Sequence, residues 1–191
     1  MNQRDTSSET PFVLVGGILI DETGPVVLRR IERAAFNHPS FAVHLCHVLA
    51  ATPSDETGAE KAIEKQLEQV KNWARAYVSE ALAAHATMHV AVGVVDDALL
   101  RLADDVEASA IVVGVHLDPV SERLTVGPNG RRLVERAACP VVFATPEATQ
   151  EKTSGATPGR VPGAGRYHYR RTFSLAANQS TVGVGGSPLR P

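Results

Sequence analysis

The apolar pattern of this chain alternates between two periods up to about residue 146. Short apolar runs typical of buried strands are followed by stretches in which apolar residues recur every three or four positions, as in amphipathic helices. The predicted strands cover about residues 12–20, 41–49, 88–93, 110–113 and 140–144. This alternation predicts a parallel sheet with helices on both faces and right-handed crossovers.

The longest predicted helix runs from about Ala59 to His85. Its apolar positions step by three and four residues, and charged residues take the other side. The positions expected to face inward are Ile63, Leu67, Val70, Ala74, Tyr77 and Ala81. Three further helices are expected to start at Thr23-Gly24-Pro25, near Asp96 and near Asn129, and proline is tolerated in a first helical turn.

The alternation of strand and helix patterns ends after Glu147, which divides the chain into three regions. We expect residues 11–147 to form one domain, with a disordered N-terminus at 1–10 and a disordered basic tail at 148–191. Residues 152–191 contain 7 Gly and 4 Pro, six basic residues and no acid. Such a composition provides too little apolar surface to offset the entropy cost of ordering.

One cluster in the tail, from Arg166 to Phe173, mixes arginine with aromatic residues. This combination can stack on single-stranded nucleic acid. All 21 acids lie before residue 152, however, so the tail is more simply expected to fold back onto its own domain or to do nothing. Nucleic acid is therefore not an expected partner.

Several kinds of chemistry have no pattern to support them. No phosphate-binding loop ending in Gly-Lys-Ser/Thr, no Gly-x-Ser-x-Gly and no His-Glu-x-x-His occurs, so the chain is not expected to be an enzyme. His44 and His47, three apart in a strand, should lie on opposite faces of the sheet. The first ten residues lack an apolar signal core, and no run has membrane-spanning length. A cytoplasmic protein without a membrane partner is expected, with Cys46 and Cys139 buried and reduced.

Three stretches of the sequence resemble the universal stress protein family. They are Val-Gly-Gly-Ile-Leu-Ile-Asp-Glu-Thr-Gly at 15–24, Val-His-Leu-Cys-His-Val-Leu at 43–49, and Ile-Val-Val-Gly at 111–114 followed by Gly127 and Ala-Cys-Pro-Val-Val at 138–142. The resemblance implies an open, Rossmann-like five-stranded parallel sheet, similar to adenine nucleotide alpha hydrolases, with strand order 3-2-1-4-5. It also implies a role in stress response.

In nucleotide-binding relatives, a loop of pattern Gly, two residues, Gly, nine residues, Gly and Ser/Thr surrounds the phosphates. The loop length survives here, because Gly114 and Gly127 stand at the expected spacing. Leu117 replaces the middle glycine, and Pro128 replaces the residue that supplies the hydroxyl. The proline removes both a hydroxyl and a backbone N–H donor.

The same resemblance places an adenine-binding aspartate at the end of the first strand, where this chain has Leu19. Asp21, two positions on, is more simply a turn or cap residue. Val48 and Gly93 are retained as possible backbone contacts to a nucleotide, although each can equally be a core residue or a turn glycine. We therefore expect no cofactor, or at most weak binding of ATP or another adenine nucleotide.

The resulting functional hypothesis is a regulatory or partner-binding protein without catalysis or tight ATP binding. The alternative is an adenine-nucleotide switch or slow ATPase that uses the Gly114–Gly127 loop. In the expected strand order Val141, Val142 and Phe143 lie at an exposed sheet edge, and apolar edges tend to acquire a partner. A homodimer through this strand is expected, together with a protein partner that the sequence does not identify.

Overall fold

A six-stranded sheet is the centre of the computed structural model of this chain, which describes residues 10–21, 23–49, 56–117, 124–145 and 170–175. A two-stranded hairpin accompanies the sheet. The strands are β1 (Phe12–Gly17), β2 (Phe41–Leu49), β3 (Ala86–Val92), β4 (Ala110–Gly114), β5 (His116–Leu117), β6 (Leu124–Thr125), β7 (Val141–Ala144) and β8 (Arg170–Ser174). The helices are α1 (Gly24–Ala35), α2 (Glu56–Tyr77), α3 (Glu80–Ala83), α4 (Val95–Asp105) and α5 (Pro128–Arg136).

Five of the strands form the predicted parallel sheet. Their order is β7-β4-β1-β2-β3, and every neighbouring pair among them is parallel. This is the expected order with the last strand next to the fourth, so the fold class is confirmed. Because the strands are parallel, their carboxyl ends lie at one edge, where sheets of this type bind ligands.

The sixth strand corrects one expectation. Arg170–Ser174, which we expected to be disordered with the rest of the tail, pairs antiparallel with β3. The other five strands lie within residues 11–147. β8 comes from the predicted tail and covers the side of β3 that faces away from β2. The rest of the predicted tail and the predicted disordered residues 1–9 lie outside the described residues.

The helices cover both faces of the sheet. On one face, α1, α2 and α3 pack on β1 to β4, and their core includes Ile31, Ile63 and Leu82. On the other face, α4 packs on β1, β2 and β4 and also contacts α5, with Leu99 and Leu133 fully buried. The strands between the two layers are buried on both sides, which explains their continuous apolar runs.

The long predicted helix is interrupted. α2 ends at Tyr77, and Ser79 then begins α3 as an N-cap whose hydroxyl accepts a hydrogen bond from the Leu82 N–H at 3.3 Å. The interruption changes which residues face the core, so Tyr77 is 54% exposed although we expected it to be buried. Ala81 is exposed as well, and Leu82 is buried in its place. The sequence signal for this break was Ser79, a residue type that often caps helices, within a stretch of regularly spaced apolar residues.

Trp73 in α2 packs against the start of α1. A β-carbon at Gly24 would collide with the Leu19 carbonyl oxygen and with the Trp73 ring, so only glycine fits at this position. Trp73 itself is 7% exposed. The predicted start of α1 at Thr23-Gly24-Pro25 is confirmed, and its tight packing fixes where the first helix leaves the carboxyl edge of the sheet.

Candidate functional site

The first predicted loop glycine, Gly114, lies at the carboxyl edge of the sheet next to β1. Gly114 ends β4, and its neighbour Val113 is the register partner of Gly17 at the end of β1. A β-carbon added at Gly114 would lie 3.4 Å from Val27 and 3.9 Å from Thr23. The first turn of α1 therefore lies over the end of β4, and the site is the gap between these two elements.

The segment after β1 provides no carboxylate to this gap. Leu19, at the position aligned with the adenine-binding aspartate, is 40% exposed. Asp21 instead accepts hydrogen bonds from the Thr23 N–H at 2.8 Å and from the Thr23 hydroxyl at 2.6 Å. This local turn is typical of aspartate before a helix, and it confirms the interpretation of Asp21 as a turn residue.

The Gly114–Gly127 segment contains a short hairpin that the sequence did not indicate. β5 and β6 pair antiparallel, with Leu117 opposite Leu124. Leu117 thus lies in a strand rather than in a loop that follows the phosphates. Residues 118–123 between the two strands lie outside the described residues.

Helix α5 begins immediately after the second glycine. Gly127 is the N-cap residue, with φ −65° and ψ 173°, and Pro128 takes the first helical position. Proline fits there because the N–H it lacks has no partner inside the helix. The Arg131 N–H bonds to the Gly127 carbonyl at 3.1 Å, so the first-turn donors that point out of the helix are those of Asn129 and Gly130.

Val48 lies near the carboxyl end of β2, the strand next to β1, whereas Gly93 lies farther from the β1–β4 edge. Val48 is on β2 and is 9% exposed within the core. Gly93 has φ 135°, which side chains rarely allow, and its N–H donates to the Leu49 carbonyl at 2.8 Å. Gly93 follows β3, three strands from β4, or about 14 Å away. Val48 is thus a core residue and Gly93 a turn residue, and a backbone contact from either to a nucleotide stays a prediction.

A buried ion pair between α4 and α5 was missed by the sequence analysis. Asp96, 1% exposed, accepts from Arg132 Nε at 2.9 Å and from Arg136 at 3.1 Å. Arg132 also donates to the Asn129 side chain at 2.5 Å, and Arg136 lies 2.7 Å from Asp97. The hydrogen bond from Arg132 and the Asp96 charge raise the pKa of Arg132. The sequence signal that could have indicated this cluster is the spacing of four residues between Arg132 and Arg136, which places both on one side of a helix.

Histidines form a second polar cluster, on β2 and β3. His44 Nδ1 and His89 Nε2 lie 2.9 Å apart, so one ring donates to the other. His89 Nδ1 lies 3.1 Å from the Thr172 hydroxyl of β8. By the alternation of the strands, these side chains share a face with Cys46 and Ala91, whereas His47 lies on the opposite face, as expected.

His47 is buried next to the end of β1. Its Nδ1 lies 3.0 Å from the Ile18 carbonyl oxygen, which fixes Nδ1 as the protonated donor. Burial lowers the pKa of His47, because the charged form loses its hydration, and the Ile18 hydrogen bond and Asp21 only partly oppose this. The ring therefore acts as a neutral link between β1 and β2.

The two thiols differ from the expectation in one respect. Both are free, and Cys46 is fully buried, but Cys139 is only half-buried. Burial, with a contribution from Asp104, raises the pKa of Cys139, which favours the unreactive thiol form. Among the described residues, no three His, Cys, Asp or Glu side chains group as a metal site. No described helix is both long and apolar enough to cross a membrane.

Comparisons with known proteins agree with this architecture. The sequence model of the universal stress protein family matches residues 21–144. The universal stress protein of Archaeoglobus fulgidus has a similar structure, with a TM-score of 0.51 and 19% identity over 72% of this chain and 100% of that one. UspA from Lactobacillus plantarum gives a TM-score of 0.50 and 14% identity over 72% and 100%.

A third similar structure is a universal stress protein in complex with cAMP, at 22% identity and a TM-score of 0.50, covering 70% of this chain and 96% of that one. A comparison with curated proteins found no match. At these identities the structural likeness shows the fold alone, and the family match extends over more than half of the chain. This chain belongs to the universal stress protein family.

Proposed function

We propose that this protein is a non-catalytic, regulatory universal stress protein that acts in the cytoplasm as a symmetric dimer and does not bind ATP tightly. The start of α5 is the observation that supports this most strongly. A helix N-terminus binds phosphate through converging N–H groups, helped by a nearby hydroxyl. Here Gly127 and Pro128 provide no hydroxyl, and Pro128 provides no N–H.

The charges near α5 point the same way. Arg132 donates to Asp96 and to Asn129, so its guanidinium is already paired at the start of the helix. Asp96 brings a buried carboxylate beside that helix, which disfavours a second anion. Neither side chain is placed to assist a phosphate.

The base and sugar of a nucleotide also lack their expected partner. Leu19 offers no acceptor, and the Asp21 carboxylate is engaged by Thr23. Each charge-assisted hydrogen bond lost at the site weakens binding by roughly 1.5–3 kcal/mol. Losing two would reduce affinity by about two to four decades.

The proposed dimer uses β7. This strand is hydrogen-bonded to β4 on one side, and the described residues place no strand on its other side. Val141 is buried, while Val142 and Phe143 are partly buried. Pairing β7 with its copy about a two-fold axis would satisfy the outward backbone groups and cover the remaining apolar surface.

One observation favours the alternative of a nucleotide-dependent switch. A β-carbon at Gly127 would meet nothing within 4 Å, and one at Gly114 would make ordinary contacts, so the fold itself requires neither glycine. Glycines without a packing role suit a close approach by a ligand. The family member solved with cAMP is consistent with such a use.

Calorimetry with ATP distinguishes these two functions. We expect no measurable heat at micromolar protein, and no ATPase activity above background. The variant Leu19→Asp/Leu117→Gly/Pro128→Ser should regain measurable affinity. Adding Gly127→Ala to that variant is the matched control, because the methyl group fits the free protein but would obstruct a phosphate. Tight ATP binding by the unmodified chain would reverse the order of the two proposals.

A further inference from the structure

The outer side of β3 is covered by a strand from outside the domain. β8 pairs with β3 over five register positions, from Ala91 with Arg170 to Thr87 with Ser174. We propose that this side of β3 is a strand-docking site whose exchangeable occupant is Arg170–Ser174 of a second copy of this chain. This proposal does not depend on the dimer through β7.

The backbone pairing resembles that of a bound peptide. The Leu175 N–H donates to the Ala86 carbonyl at 3.1 Å. Since backbone groups alternate in direction along an antiparallel strand, the N–H groups of Arg171 and Phe173 also point toward β3. Those of Thr172 and Ser174 point away. Main-chain bonds of this kind provide affinity in strand addition.

Side chains on both faces of the strand provide selectivity. The Thr172 hydroxyl lies 3.1 Å from His89 Nδ1, and His89 is itself bonded to His44. On the opposite face, Leu175 packs against the main apolar core. A docking segment therefore needs a small hydroxyl residue and, three positions later, an aliphatic residue, and the tail provides both.

The connection to the domain does not restrict β8 to its own chain. Thr145 and Arg170 both lie at the carboxyl edge of the sheet, because β7 is parallel to β3 and β8 is antiparallel to it. The two strands are five strand spacings apart, or about 24 Å. Residues 146–169 span up to about 80 Å when extended, so the strand can equally reach a β3 edge on another copy.

Charge is compatible with the same exchange. Residues 152–191 contain six basic residues and no acid, while the preceding part contains all 21 acids and 13 basic residues. The tail of each copy is therefore attracted to acidic domains, both its own and that of another copy. A second copy also provides the strand sequence that already fits the edge.

Disulfide trapping in the full chain tests the exchange. Thr87 and Ser174 are register partners in a pair without mutual backbone bonds, where α-carbons lie about 4.5 Å apart, within disulfide range. One chain with Thr87→Cys and a second, tagged chain with Ser174→Cys are co-expressed, both with Cys46→Ala and Cys139→Ser. After mild oxidation, we expect a disulfide-linked pair of one tagged and one untagged chain on a non-reducing gel.

Two controls define the outcome. The same Thr87→Cys chain with Glu135→Cys on its partner should give no linked pair, because Glu135 is exposed on α5 and not on β8. Thr87→Cys/Ser174→Cys in a single chain reports docking within that chain. If only this single-chain disulfide forms, or if no disulfide forms at all, the exchange is disproved.

A peptide experiment provides an independent test. Full-length Phe173→Pro loses an N–H directed at β3, which weakens its own strand, and a labelled peptide of residues 166–176 is added. We expect binding by fluorescence anisotropy. N-methylation of the peptide at Phe173 should weaken its binding affinity by roughly tenfold. N-methylation at Thr172 should weaken the affinity by less than about threefold. No binding, or equal effects of the two methyl groups, would contradict the docking site.

Discussion

The two edges of the parallel sheet, β7 and β3, differ in what lies beside them. At one end the described residues give β7 a strand neighbour on one side only, and α4 and α5 behind it are joined by the charged cluster of Asp96, Arg132 and Arg136. At the other end β3 is covered by β8, and the connection includes side-chain hydrogen bonds from His44 through His89 to Thr172.

This difference suggests a division of roles. An unpaired apolar edge invites a partner, and an edge covered by a separate segment accepts another partner only when that segment leaves. The β7 end is thus suited to a permanent dimer contact, and the β3 end to an exchangeable one. Three substitutions test this comparison.

The largest expected effect is at β7. Val142→Lys should convert the dimer to a monomer in sedimentation velocity, because a lysine on the pairing strand cannot be desolvated against its own copy. Val142→Thr keeps the branched shape and should remain dimeric. A dimer that persists in the lysine variant, with an unchanged melting curve, would move the interface away from β7.

The charged cluster should have the next largest effect. Asp96→Ala removes the buried carboxylate that Arg132 and Arg136 share, while Arg136 keeps Asp97, and should lower the free energy of unfolding by about 2 kcal/mol. Chemical denaturation followed by the fluorescence of Trp73, the single tryptophan, measures this. Asp104→Ala, exposed on the same helix, should change stability by less than about 0.5 kcal/mol. Equal losses in the two variants would show that the cluster contributes nothing specific.

The smallest effect is expected at the β3 end of the sheet. Thr172→Val replaces a hydroxyl by a methyl group of similar shape and should cost about 1 kcal/mol, since one hydrogen bond to His89 is lost. Hydrogen exchange should show the loss as faster exchange in β3, with β7 unaffected. Thr87→Val, two positions along β3 from His89, is the matched control. Uniformly faster exchange through the sheet would mean that β8 is part of the global fold.

Much of the fold could be predicted because the domain follows simple periods. The β4 and β7 runs are apolar on both faces, and the helices between the strands show a clear apolar side. The break at Ser79 was missed because apolar residues continue on both sides of it. β8 was missed because a five-residue strand with two arginines has a weak pattern of its own, and its backbone hydrogen bonds form only against β3.

The candidate site could be predicted only in part. The spacing from Gly114 to Gly127 and the substitution by Pro128 are visible in the sequence, and the helix start at Pro128 follows from proline geometry. The pairing of Leu117 with Leu124 and of Asp96 with two arginines depends on which elements meet in space. No local sequence pattern shows which of these elements come into contact.

By itself, the sequence determined the alternation of strands and helices, the family, and the loss of a hydroxyl and an N–H at the glycine loop. The alternation follows from residue type and spacing, and the other two follow from the resemblance of three stretches to a known family. Tertiary structure decided the environment of each polar group: Asp96 became a buried acceptor, His44 and His89 became partners across two strands, and Arg170–Ser174 became a strand. The physical reason is that hydrogen bonds and ion pairs between distant segments form only after the core has brought those segments together.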